Sequence, residues 1–186
     1  MIKIYRPNVH PNFPDGGKFS KNLDKLEVGQ TLQFAGPVGK MEYYGHGKFR
    51  VNGLGEITRT KLGFIAGGTG LTPCYHMMQA SLRHKDGCQI SWVSVNSTPD
   101  DMLLKAELDE LHSQHPDTLK LTYLASNADE KWTGLKGRIN KDLIAQLMPA
   151  PSPDTYILYC GPKGFTDLIK ASLIELGYAE DMFICC

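Results

Sequence analysis

The stretch Phe64-Ile65-Ala66-Gly67-Gly68-Thr69-Gly70-Leu71-Thr72-Pro73 decides the reading of this chain, because an apolar run breaks into clustered glycines and resumes with residues that open helices. It reads as a strand, a tight turn and a helix N-terminus, with Thr72 as the N-cap and Pro73 at the first helical position. Glycines lack a Cβ, so backbone N–H groups can come close to a pyrophosphate, and the helix dipole favours the same anion. A dinucleotide is the ligand such a turn suits. The order Gly-Gly-x-Gly differs from the Gly-x-Gly-x-x-Gly fingerprint, and glycine turns also serve as plain connectors, so the decision falls to the flanking sequence.

Downstream of residue 61, strands and helices alternate. Leu62–Ala66, Gln89–Val95, Leu119–Ala125, Thr155–Cys160 and Met182–Cys185 read as strands. Between them lie helical stretches: Pro73–His84, a segment opened by Asp100 and Asp101 that carries Leu104, Leu108 and Leu111, a helix capped by Asn140, and Phe165–Leu176 ending at Gly177. This alternation predicts right-handed βαβ crossovers and a doubly wound parallel α/β sheet. In such a sheet ligands lie at the carboxyl ends of the strands. There the unusual residues fall: Gly67-Gly68-Thr69-Gly70, Ser126-Asn127 and Cys160-Gly161-Pro162.

Residues 1–60 differ in kind. Ile2–Tyr5, Thr31–Phe34 and Lys48–Val51 read as strands, Ser20–Leu26 as a short helix, and Gly36-Pro37-Val38-Gly39 as a turn. This is antiparallel β-rich material, too short to close a barrel comfortably by itself. We therefore expect two domains, 1–60 and 61–186.

Composition narrows the class. Of the 186 residues, 20 are Lys or Arg and 20 are Asp or Glu, so the net charge of zero gives no whole-chain case for nucleic acid or an anionic membrane. Five cysteines without a Cys-x-x-Cys pair indicate neither a disulfide framework nor a zinc site, and reduced thiols suit a cytoplasmic protein. His112 and His115 lack a matching second ligand pair and read as surface histidines. No apolar run is long enough to span a membrane.

The glycine turn followed by Cys160-Gly161-Pro162 resembles the nicotinamide half of the ferredoxin reductase-like flavoproteins, and among them most closely the cytochrome b5 reductase family. The register extends upstream through His10-Pro11-Asn12-Phe13-Pro14-Asp15-Gly16-Gly17-Lys18-Phe19-Ser20, Val28-Gly29, Gly36-Pro37-Val38-Gly39 and Gly45-His46-Gly47-Lys48-Phe49, covering nearly the whole chain.

The resemblance implies a ferredoxin reductase-like fold: an antiparallel FAD-binding barrel, here partial over 1–60, followed by the NAD(P)H-binding domain. It implies that Gly17, Lys18, Phe19 and Ser20 hold the FAD diphosphate, with Lys3 beside the flavin. Gly67, Gly68, Thr69 and Gly70 would line the nicotinamide dinucleotide, and Thr72 would approach the flavin. Cys160 would position the nicotinamide without acting as a nucleophile, beside Gly161 and Pro162. The implied activity is hydride transfer from NAD(P)H to FAD, then single electrons to a haem protein such as cytochrome b5.

The chain also departs from the family pattern. The upstream Arg-x-Tyr-Ser/Thr segment of the flavin domain is absent, so the sequence is expected to begin inside that domain. An incomplete barrel would leave open edges that invite self-association. Ser126 stands where close relatives carry an aspartate favouring NADH, which leaves NADH and NADPH both open. Lys163-Gly164-Phe165 follows Cys-Gly-Pro where the family commonly has Pro-Pro-Met, and Cys185 stands at its near-terminal aromatic. Two other readings share these residues: a catalytically silent nucleotide-binding or interaction module, and the reductase portion of a nitrate reductase-like enzyme.

Overall fold

The computed structural model describes residues 4–9, 11, 13–36, 38–85 and 87–186. Lys3, His10, Asn12 and Pro37, and with Lys3 its expected flavin contact, lie outside the described residues. The chain forms two compact units, Met1–Val38 and Gly39–Cys186.

In the first unit a single helix, α1 (Lys18–Asp24), follows a turn knotted by its own backbone. Gly16, at φ +70°, donates its N–H to the Phe13 carbonyl at 3.0 Å, and a Cβ there would stand 2.5 Å from the Tyr5 oxygen. Gly17 N–H donates to that same oxygen at 2.9 Å. Ser20 is the one buried residue among those described in this unit. The strand expected at Thr31–Phe34 does not form; these residues are exposed and irregular, with no described partner strand to take their backbone groups.

The second unit opens with three short antiparallel strands, β1 (Met41–Gly45), β2 (Lys48–Val51) and β3 (Gly55–Thr58), in the order β1-β2-β3. It continues through β4 (Lys61–Gly67), α2 (Leu71–His84), β5 (Gln89–Asn96), α3 (Lys105–Gln114), β6 (Leu119–Ala125) and β7 (Leu135–Lys136). It closes with α4 (Lys141–Leu147), β8 (Thr155–Cys160), α5 (Lys163–Glu175) and β9 (Phe183–Cys185). The last six strands form one parallel sheet in the order β7-β6-β5-β4-β8-β9. The expected doubly wound sheet is thus present, with β7 as an added edge strand.

Alternation along the strands divides the core into two layers. Leu62, Phe64, Trp92, Tyr156 and Leu158 pack against Cys74, Met77 and Met78 of α2, Leu108 of α3 and Phe49 of β2. Ile65, Val93, Ile157 and Tyr159 pack on the other face against Ile144 of α4 and Ile169 and Leu173 of α5. The small sheet is bound into the first layer, with the Phe49 and Tyr156 rings 5.6 Å apart. Burial of the apolar face stabilises each layer by ~25 cal/mol per Å² removed from water.

Four helix starts differ from expectation: α1 begins at Lys18 rather than Ser20, α5 at Lys163 rather than Phe165, and α2 and α3 differ further. α2 begins at Leu71, because a 3-10 turn over Gly68–Gly70 runs straight into it. Thr72 therefore lies inside the first turn and is not the N-cap; its hydroxyl donates to the Thr69 carbonyl at 3.3 Å. Pro73 is tolerated there because the first N–H groups of a helix have no i−4 acceptor. Asp100 and Asp101 occupy a separate 3-10 turn closed by the Thr98–Asp101 capping box, and α3 starts only at Lys105 because Leu104 adopts φ +53°. Two termini follow the sequence: Asn140 accepts the Leu143 N–H at 2.9 Å, and Gly177 at φ +86° closes α5. Asn140→Ala should cost about 1 kcal/mol, read as a melting temperature lower by roughly 2–4 °C.

Candidate nucleotide site

In the parallel sheet β4 leads outward to β5 and β6 on one side and to β8 and β9 on the other. The topological switch point therefore lies between the carboxyl ends of β4 and β8, where such sheets open a crevice. The two turns singled out in the sequence meet there. A Cβ on Gly70 would overlap the Cys160 carbonyl and stand 2.7 Å from the Gly161 nitrogen, so only a bare backbone fits. The Cα of Gly67 lies 3.3 Å from the Cβ position of Gly161, and the Phe165 ring covers both glycines at 2.6–3.3 Å from their Cβ positions. In the sequence Phe165 stands out only within the Lys163-Gly164-Phe165 departure from the family pattern; in the structure it stands in the first turn of α5, over two strand-end glycines that make room for its ring.

Gly68 does the opposite. It adopts φ +54°, and a Cβ built there meets nothing within 4 Å. The turn thus has one glycine closed against β8 and one facing open space, beside N–H groups that open a 3-10 turn and have no i−4 acceptor. Free backbone donors beside an open glycine suit an anion. Thr69 and Thr72 are exposed on the same turn, and Pro162 is exposed beside Gly161.

Cys160 is half-buried at the end of β8, and its sulfur lies 3.4 Å from the Cys186 carbonyl oxygen. Burial raises its thiol pKa, which suits a packing and orienting residue better than a nucleophile. Ser126 lies on the same carboxyl edge but two strands out from β4, at the end of β6. Its N–H donates to the Asn96 carbonyl at 3.0 Å, and Asn127 N–H donates to the Ser97 carbonyl at 2.7 Å. The edge therefore runs continuously from Ser126 through Asn96-Ser97 to the glycine turn and Cys160, and the β5 end, Asn96-Ser97, joins the residues the sequence had singled out.

Beneath Ser126, Tyr123 donates to Asp109 at 2.8 Å, the Lys105 ammonium stands 4.7 Å from its ring centre, and Trp132 meets it edge-on at 6.4 Å. Burial, with the Asp109 bond, raises the Tyr123 pKa well above the ordinary phenol value. This brace holds the β6 end without placing a charge on the edge.

In the first unit, Gly17, Lys18, Phe19 and Ser20 form the start of α1. Ser20 turns inward: its hydroxyl accepts the Tyr5 N–H at 3.1 Å and donates to the Gly17 carbonyl at 3.4 Å. Lys18 and Phe19 are exposed. Among the described residues no group of three His, Cys, Asp or Glu side chains could hold a metal, and no helix is long and apolar enough to cross a membrane.

The parallel sheet, with the two turns meeting at its switch point, is that of a doubly wound α/β unit. Residues 64–171 match the oxidoreductase NAD-binding domain family, and residues 1–43 match the oxidoreductase FAD-binding domain. The chain is 39% identical over 188 residues to nitrate reductase [NADH] of Volvox carteri, covering 99% of this chain and 22% of that protein. It is 38% identical over 189 residues to NADH-cytochrome b5 reductase 1 of Bos taurus, covering 98% of this chain and 62% of that protein.

Among solved structures, the cytochrome b5 reductase domain of Ulva prolifera nitrate reductase superposes with a TM-score of 0.92 at 36% identity, covering all of this chain and 71% of that one. The chain belongs to the cytochrome b5 reductase family of ferredoxin reductase-like oxidoreductases. It spans 62% of the bovine reductase's length.

Proposed function

We propose that the chain is the electron-transferring part of a flavoprotein that oxidises NADH, takes the electrons onto FAD and delivers them singly to a haem protein such as cytochrome b5. The observation that carries this reading is the meeting of the Gly67–Gly70 and Cys160–Pro162 turns at the switch point, one glycine closed and one open. Bound together, the two cofactors supply hydride transfer and one-electron chemistry.

The residues of this chain bind and orient. Gly68 and Thr69 offer backbone donors to the dinucleotide phosphates, and Cys160, with Gly161 and Pro162, walls the nicotinamide end. Thr72 projects from the first turn of α2 on the same edge, and Gly70 keeps the two turns at backbone contact distance. On the flavin side Gly17 and Lys18 offer an amide and an ammonium to the FAD diphosphate, Phe19 flanks them, and Ser20 braces the turn from within. We assign the flavin role to residues 1–60 and the nicotinamide role to residues 61–186, in a cytoplasmic setting. NADH is favoured because the similar nitrate reductase and b5 reductase both carry NADH in their names. Ser126 offers no carboxylate to repel the 2′-phosphate of NADPH.

A second reading, a nucleotide-binding module without flavin chemistry, draws on one observation. The described residues of the first unit bury no apolar side chain, while Val9, Phe13, Phe19, Val28, Phe34 and Val38 are exposed. The same exposed side chains support self-association through this unit.

An absorbance spectrum of the purified chain with and without added FAD, combined with NADH-driven ferricyanide reduction, separates the readings. Flavin uptake with ferricyanide reduction is the expected result. Nucleotide binding with no flavin uptake selects the second reading, and failure to bind NADH removes both.

A further inference from the structure

Three of the five cysteines gather at one corner of the parallel sheet. Tyr159 of β8 stands opposite Cys185 of β9, and the strands run parallel, so the next pair in register is Cys160 opposite Cys186. Cys186 N–H donates to the Tyr159 carbonyl at 3.1 Å, which holds this register to the last residue. Adjacent strands lie about 4.8 Å apart, inside the Cα separation of about 4.4–6.8 Å that a disulfide bridges.

Alternation selects the pair. Cys160 packs with the α2 face of the sheet and Cys185 with the α5 face, so these two point to opposite sides. Cys186, one residue on from Cys185, returns to the face of Cys160. The Cys160 sulfur already lies 3.4 Å from the Cys186 carbonyl oxygen. The Lys40 ammonium, donating to the Cys185 carbonyl at 3.1 Å, stands beside the pair and favours both thiolates.

We propose that Cys160 and Cys186 form a redox-active dithiol, which low-molecular-weight disulfides of the glutathione type convert to an intrachain disulfide that ties the end of β8 to β9 and alters nucleotide binding at Cys160. The exposed Cys186 thiolate attacks one sulfur of the small disulfide, forming a mixed disulfide and releasing one small thiol. The Cys160 thiolate then attacks the Cys186 sulfur, forming the Cys160–Cys186 bond and releasing the second. Two protein thiols are oxidised, one external disulfide is reduced to two thiols, and the protein's two protons pass to the departing thiolates.

Partial desolvation pushes the Cys186 thiol up to about 11, so its exchange with a small disulfide is slow at neutral pH. The effect on binding rests on the proposed nucleotide role of Cys160; the thiol chemistry does not.

The test treats the full chain with oxidised glutathione, maps peptides under non-reducing conditions and titrates NADH before and after. The expected result is a linked Cys160–Cys186 peptide, absent in Cys186→Ser and kept in Cys185→Ser, and NADH affinity lowered by at least about fivefold and restored by dithiothreitol. Glutathione adducts alone, or a link through Cys185, would overturn the proposal. A Cys160–Cys186 link that leaves NADH affinity unchanged would overturn the effect on binding. A link in a protein whose reduced form never binds NADH would uphold the dithiol and remove the nucleotide reading instead.

Discussion

Gly68→Glu is expected to weaken NADH binding by about a hundredfold, or about 2.7 kcal/mol, by setting a carboxylate against the phosphates the turn is shaped to receive. The open space around this residue means the substitution meets no protein atom, so the fold should survive. It does carry the penalty of a side chain at φ +54°, roughly 1–2 kcal/mol. Gly68→Ala bears the same backbone strain without the charge and should keep most of the affinity. Fluorescence titration with NADH, beside thermal melts of both variants, checks this. Equal affinities for the Ala and Glu variants would move the phosphate seat away from Gly68.

Gly70→Ala, two residues on, should act on stability first. Gly70 has ordinary helical dihedrals, so no strain argument applies, and the whole effect comes from space. The added carbon would overlap the Cys160 carbonyl and crowd the Gly161 nitrogen, both backbone atoms with no rotamer to yield. Forcing the β4 and β8 turns apart should cost about 2–3 kcal/mol, seen as a melting temperature lower by roughly 4–12 °C in a circular dichroism melt. NADH affinity should fall with it, since the two turns form opposite walls of one cleft. A melting temperature within a degree of the parent's would show that the turns do not touch as described.

The parallel sheet was legible because β4, β5 and β8 are largely buried on both faces, which writes apolar runs such as Tyr156-Ile157-Leu158-Tyr159 into the sequence. The meeting of the two turns was legible for a related reason: both the glycines and Cys160-Gly161-Pro162 fall at the carboxyl ends of such runs. What escaped depends on long-range context. β1 and β3 carry polar residues such as Glu42 and Glu56 on exposed faces, so their pairing with β2 leaves little apolar period to read. The start of α3 hinges on one leucine in a left-handed conformation, a state local preference argues against. Thr72 looked like a cap because it is chemically one, but the preceding 3-10 turn supplied the helix start instead. At Thr31–Phe34 a strand-like composition has no partner strand among the described residues, and extended sequence alone does not make a sheet.

The pairing of β4 with β8 has a kinetic side. Leu62 finds Tyr156 across almost a hundred residues of intervening chain, and such distant parallel pairings are slow to form because loop closure precedes their reward. During synthesis the glycine turn emerges long before its opposing wall. Until Thr155–Cys160 leaves the ribosome and docks, a nascent chain holds a half-built socket with bare sheet edge. The ability to grip a coenzyme should therefore switch on abruptly once Thr155–Cys160 has docked, and the interval before that is when the growing polypeptide most needs chaperone cover.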